Sequence, residues 1–181
     1  MGKLDNAISY MIGPIDYAHD KGIGFRQEIK ELTNDAGLLI RWLDPTDKLE
    51  GLGLDVGDEQ DSIDQMKRDG DWVGLQRMMK HIVHVDLWCV DRGDFNVGYI
   101  DKDIHMCGSY HEIIMSTVLR KPTLVVIEGG RTKCPSWIFG ICKPEYMFDD
   151  IPSMVSYLKG VNDGTLENEW LVLGNKLPMI E

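Results

Sequence analysis

Gly108-Ser109-Tyr110-His111-Glu112-Ile113-Ile114-Met115-Ser116-Thr117-Val118-Leu119, followed by Arg120-Lys121-Pro122 and then Thr123-Leu124-Val125-Val126-Ile127, is the stretch whose reading decides the fold. Ile113, Ile114, Met115, Val118 and Leu119 recur at helical spacing behind a glycine, whereas 123–127 is a short unbroken apolar run of the kind buried on both faces of a sheet. One helix feeding one buried strand is half of a β-α-β unit. Ser109-x-x-Glu112 at the helix start has two readings. It is a capping box, in which serine and glutamate satisfy free backbone N–H groups. It is also a carboxylate in a helical first turn, where the helix dipole would hold it ionised, as a nucleophile requires.

Outward from this stretch the same alternation repeats. Upstream, Ile8-Ser9-Tyr10-Met11-Ile12 is a strand stopped by Gly13-Pro14. Gly22-Ile23-Gly24 opens a helix carrying Phe25, Ile29 and Leu32, which ends at Ala36-Gly37. Leu38 to Leu43 is a second strand, closed by Asp44-Pro45. Residues 46–61 are acidic and glycine-rich and read as a long surface loop. A helical stretch follows from Ser62 to Lys80, with a break at Asp69-Gly70-Asp71, and a third strand is expected from Val85 to Val90. Residues 92–107 read as a polar loop. Downstream, a weak fifth strand is expected at Tyr146-Met147-Phe148 and a last amphipathic helix from Ile151 to Lys159. Strands alternating with helices predict an α/β fold, a doubly wound parallel sheet of about five strands with helices on both faces. One domain is expected over residues 1–160. Residues 161–181 form a tail whose Trp170-Leu171-Val172-Leu173 is apolar enough to dock on the body or on a neighbouring subunit.

The chain's 181 residues suffice for one well-formed core. With 43% hydrophobic and 27% charged residues, wholesale disorder is excluded. A net charge of −11 argues against a nucleic-acid polymer as partner, since that needs a basic footprint. The four cysteines form no Cys-x-x-Cys pair. There is no signal peptide and no apolar run near the ~18 residues of a membrane span, so a cytoplasmic protein with reduced thiols and no membrane contact is expected.

Ligands of doubly wound sheets bind at the carboxyl ends of the strands. That rule gathers Gly13, Pro14 and Asp16, the 86–91 segment, and the loop before Glu112 on one rim. Tyr10 points its hydroxyl at this rim or belongs to the core. Asp86 receives a hydrogen bond from a ligand, protonates a leaving nitrogen if burial raises its pKa, or is a turn residue. Gly22-Ile23-Gly24-Phe25-Arg26 would hold a phosphate through backbone N–H groups and the guanidinium, though it lacks the third glycine of a dinucleotide fingerprint. His105, Cys107 and His111 lack the paired spacing of a metal site. No Gly-x-Ser-x-Gly elbow and no Gly-Lys-Ser/Thr phosphate loop occurs, which excludes those two hydrolase classes.

Tyr10-Met11-Ile12-Gly13-Pro14, the segment headed by Asp86, Gly108-x-x-x-Glu112 and the Lys121-Pro122 strand together resemble the nucleoside 2-deoxyribosyltransferase superfamily, which includes the nucleoside 5′-monophosphate N-glycosidases. The resemblance covers roughly residues 8–158, and Pro135-Ser136-Trp137 resembles a family segment near the base pocket. It implies a flavodoxin-like fold and cleavage of an N-glycosidic bond in a small-molecule nucleoside or nucleotide. By the same resemblance Glu112 is the nucleophile, Tyr10 orients it, and Asp86 contacts the base or assists its protonation. Gly13, Pro14, Asp16, Arg26, Gly108, Ser109 and Trp137 are the substrate-binding candidates. No metal and no organic cofactor is implied, and a homo-oligomer, dimer or higher, is expected. The 91–107 segment is longer than the family's connection, which leaves the roles of Asp101, Asp103 and His105 open. Residues 46–61 are a candidate lid. Two alternatives stay open: an NAD- or ADP-ribose-type glycohydrolase, since Toll/interleukin-receptor-like enzymes also use a glutamate on such a scaffold, and a non-catalytic nucleotide-sequestering module.

Overall fold

The computed structural model describes residues 2–47, 56–166 and 170, excepting the side chains of 56–58. Among these residues the elements are β1 (Ile8–Ile12), α1 (Ile23–Asp35), β2 (Arg41–Leu43), α2 (Val56–Asp69), α3 (Trp72–Arg92), β3 (Phe95–Ile100), α4 (Cys107–Val118), β4 (Thr123–Ile127), β5 (Met147–Phe148) and α5 (Ile151–Asp163). Three short 3-10 turns lie between β4 and β5. The strands form one five-stranded sheet in the order β2-β1-β3-β4-β5, every pair parallel. This is the doubly wound, flavodoxin-like order, whose topological switch point lies between β1 and β3.

Strand alternation sorts the core into two layers. Met11, Phe95, Val97, Leu124 and Val126 face one way and pack with Ile29 of α1 and with Met154, Val155, Leu158 and Val161 of α5. Tyr10, Ile12, Ile100, Val125 and Ile127 face the other way, against Val90 of α3 and Ile113 of α4. Because both faces are covered, β4 is buried at every position, and its sequence shows no polar alternation. Trp170 is buried in the first layer, with its ring centroid 5.1 Å from that of Phe95.

The third strand is where the sequence reading fails. Residues 85–90 belong to the long helix α3, so Asp86 stands on a helix and not at a strand end. The strand is Phe95–Ile100, inside the segment read as a polar loop. A short apolar run does not distinguish a strand from a buried helical segment, and Val85-Asp86-Leu87-Trp88 simply continues the helix begun at Trp72. In β3, Asn96 and Gly98 interrupt the apolar pattern, each for a packing reason. Asn96 is fully buried and donates to Val90 O (3.1 Å) and Ser116 Oγ (2.8 Å), while its own Oδ1 accepts from Tyr10 N (3.3 Å). Ser116 Oγ in turn lies 2.7 Å from Thr123 Oγ1. This buried network ties α3, α4, β1, β3 and the start of β4. At Gly98 a Cβ would stand 3.1 Å from the Ile113 side chain, so glycine lets α4 pack close. The break at 69–71 is present. Gly70 takes φ +70° and Asp71 caps α3 by accepting from Gly74 N at 2.9 Å. Of the 46–61 segment, 48–55 lies outside the described residues, and α2 already begins at Val56.

Candidate active site

The switch point between β1 and β3 opens into a cleft of about 390 Å³, lined by the end of β1, by α2 and α3, and by the start of α4. That volume falls within the range of small-molecule pockets. The Glu112 carboxylate stands in it. Helix α4 begins at Cys107, after Met106, which supplies no side-chain cap. Glu112 therefore lies beyond the first turn, and the capping-box reading and the dipole argument for a charged carboxylate both fall. Ser109, Glu112, Ile113 and Ser116 instead form the buried face of α4, at the i, i+3, i+4, i+7 spacing of one helical stripe.

Tyr10 Oη donates to Glu112 Oε1 at 3.0 Å, wholly within the protein. Burial pushes Glu112 up to about 8, the Asp86 charge pushes it the same way, and the Tyr10 hydrogen bond and the Arg26 charge oppose them. Burial first, and then the charges of Glu112 and Asp86, hold the Tyr10 phenol well above its ordinary value. The phenol is therefore a neutral donor. Glu112 and Asp86 line the same cleft, and burial with the Asp86 charge keeps a proton on Glu112 up to about pH 8. Such a pair can supply one carboxylate as a nucleophile and one as a proton donor.

Of the residues singled out from the sequence, Tyr10, Gly13, Pro14, Asp16, Asp86, Gly108, Ser109 and Glu112 all line this cleft. Trp137 does not, and is 75% exposed on the 3-10 turn Ser136–Gly140. Arg26 does not line it either; it is 1% exposed behind the β1 rim. Sequence reasoning missed the wall made by Gln60 and Ile63 of α2 with Met79, Ile82 and Val83 of α3. A signal was present: Met79, Ile82, Val83 and Asp86 repeat at i, i+3, i+4, i+7 and read as one helical face. At the mouth, Tyr17 and His105 meet edge to face with centroids 5.5 Å apart. Among the described residues no group of three or more His, Cys, Asp or Glu converges as a metal site. No helix among them is long and apolar enough to cross a membrane.

With this geometry in hand, comparison with solved structures gives a 2-deoxyribosyltransferase from the psychrotolerant bacterium Bacillus psychrosaccharolyticus. It shares 15% identity at a TM-score of 0.54, over 83% of this chain and 92% of that one. The likeness is one of fold. No family model and no curated protein matches the sequence.

Proposed function

We propose that this protein cleaves the N-glycosidic bond of a 2′-deoxynucleoside or its 5′-monophosphate through a covalent sugar–Glu112 intermediate, and passes the sugar to a second base or to water. The observation that carries this reading is the buried Tyr10–Glu112 hydrogen bond at the switch point, with Asp86, which lines the same cleft, raising the Glu112 pKa. The likeness in fold to a 2-deoxyribosyltransferase supports it.

In the first step an ionised Glu112 oxygen attacks the anomeric carbon. The C–N bond breaks, its electron pair goes to the base nitrogen, and a proton from the acidic pair neutralises the leaving base. As the base approaches Asp86, the proton held at Glu112 in the empty cleft is best placed on Asp86. One carboxylate is thereby freed for attack while the other is armed as an acid. In the second step an acceptor base or water attacks the same carbon, Glu112 leaves as a carboxylate, and the acceptor's proton returns to the pair. Tyr10 steadies one Glu112 oxygen by its hydrogen bond and leaves the other for the sugar. The transition state is oxocarbenium-like, so a carboxylate beneath it stabilises the developing positive charge.

The test is incubation with deoxynucleosides and their 5′-monophosphates, with and without an added acceptor base, following base release or exchange. Release that depends on Glu112 is expected. No turnover of any substrate, or full activity in Glu112→Ala, rejects the reading.

A further inference from the structure

We propose that Arg26 is a positioning residue for this site, its guanidinium tying the β1–α1 rim together and standing as the buried countercharge behind the cleft's carboxylates. The sequence suggests instead a phosphate donor at a glycine-rich helix start, but the arginine has turned inward. Nη1 donates to Gly22 O at 2.7 Å, and Nη2 donates to Gly13 O at 3.1 Å and to Met11 O at 3.4 Å. Nε lies 3.5 Å from Asp44 Oδ1 as an ion pair without hydrogen-bond geometry. Asp44 is itself held by Lys30 Nζ at 2.7 Å and by Thr46 N and Oγ1 at 2.8 and 2.7 Å. The guanidinium plane therefore joins the last residues of β1, the start of α1 and the turn after β2.

The residues around it are shaped for this arrangement. Gly22 takes φ +73°, and a Cβ there would fall 2.1 Å from Pro14 O and 2.3 Å from Arg26 Nη1. At Gly13 a Cβ would fall 2.4 Å from the Phe25 ring, which lies under the Arg26 guanidinium at 4.4 Å and stacks on Tyr99 at 4.5 Å. Gly13 and Pro14 are cleft-lining residues, so the clamp sets where the rim meets a ligand. A fixed buried cation also stabilises a nearby carboxylate. The titratable groups that line the cleft with Glu112 are Tyr10 of β1, Asp16 and Tyr17 after β1, Glu59 of α2, Asp86 of α3, His105 before α4, and Cys107 and His111 on α4 itself. Arg26 lowers the Glu112 pKa, and the Asp44 carboxylate first, with Asp20, holds the guanidinium charged against its burial.

The kinetic half of this inference rests on the proposed role of Glu112, whereas the clamp and the countercharge are properties of the protein without substrate. Arg26→Gln and Arg26→Lys are therefore compared in two ways: by carbon-13 NMR titration of the Glu112 carboxyl, and by base release from deoxynucleosides and their 5′-monophosphates against pH. In Arg26→Gln the Glu112 midpoint should rise by about half a pH unit or more. The basic limb of kcat/KM should move with it, and kcat should fall roughly ten-fold or more with little change in KM. In Arg26→Lys the charge returns without the three-carbonyl fork, so the midpoint should stay near wild type while kcat remains depressed. A Glu112 midpoint unmoved in folded Arg26→Gln overturns the countercharge. A KM rise confined to monophosphates, with the pH limb fixed, overturns positioning in favour of a phosphate donor. If Arg26→Gln does not fold, Arg26→Lys decides, and wild-type kcat in it overturns the clamp. If wild-type protein releases no base at all, the proposed chemistry fails, and the NMR titration alone still judges the countercharge.

Discussion

At Glu112 one carboxylate meets four competing influences: burial and the Asp86 charge push its proton affinity up, and the Tyr10 hydroxyl and the Arg26 charge pull it down. The balance leaves the pKa at about 8, so in the empty protein a larger ionised fraction should appear as pH rises. Two outcomes follow for activity. The basic limb of kcat/KM is expected near pH 8, because there the free enzyme loses the proton that the pair donates to the leaving base. Tyr10→Phe removes a hydrogen bond to the charged form, so its limb should move to still higher pH, with kcat lower by about 10- to 100-fold; an unmoved limb would remove Tyr10 from the machinery. Stability carries the same signature. The folded protein keeps the Glu112 proton up to about pH 8, whereas the unfolded chain gives it up near 4.5. Between those values the native state holds the extra proton, so its stability falls as pH rises and the full cost stands above the upper value. Glu112→Gln should therefore match wild type in thermal unfolding at acid pH and exceed it above pH 8, at roughly 2–4 °C for each kcal/mol recovered.

Among the elements, α3 and β3 show how the fold positions chemistry and why part of it was hidden in the sequence. Asp86 reaches the cleft because α3 runs on past Lys80 and carries Met79, Ile82, Val83 and Asp86 along one face. Read as a strand, Val85–Val90 put Asp86 on the correct rim for the wrong reason. β3 was hard to see because Asn96 and Gly98 answer to tertiary partners: Asn96 to Val90, Ser116 and Tyr10, and Gly98 to Ile113. By contrast β1, α1, β4 and α5 were legible, because each is a one-sided helix or a fully buried strand with glycine or proline punctuation. Arg26 was legible as a residue of note but not in its role, since nothing in Gly-x-Gly-Phe-Arg says which way the guanidinium turns. The Asn96 network gives an element-level expectation. Asn96→Ala leaves the Val90 carbonyl and the Ser116 hydroxyl without that amide, which should cost about 1–3 kcal/mol in denaturant unfolding; a loss under a few tenths would mean that the network is dispensable.

For the whole molecule, two apolar layers cover a five-stranded parallel sheet, and the site lies where the chain's winding reverses. Trp170 extends the first layer beyond α5, packed on Phe95, Tyr146 and Tyr157. We propose that this docking makes Trp170 part of the folding unit; residues 171–181 lie outside the described residues. Trp170→Ala should then cost about 3–5 kcal/mol, as for other buried aromatic truncations, and lower the melting temperature accordingly; an unchanged melting temperature would detach Trp170 from the core. The claim on which the rest turns is that Glu112 bonds covalently to the sugar. The most direct measurement is the intact mass of the protein after incubation with a slowly turned-over 2′-fluoro-2′-deoxynucleoside, followed by peptide mapping. Base release with a fluorinated-sugar adduct on the peptide holding Glu112, absent in Glu112→Gln, is the expected result. Base release with an unmodified protein, or an adduct on any other residue, would contradict it.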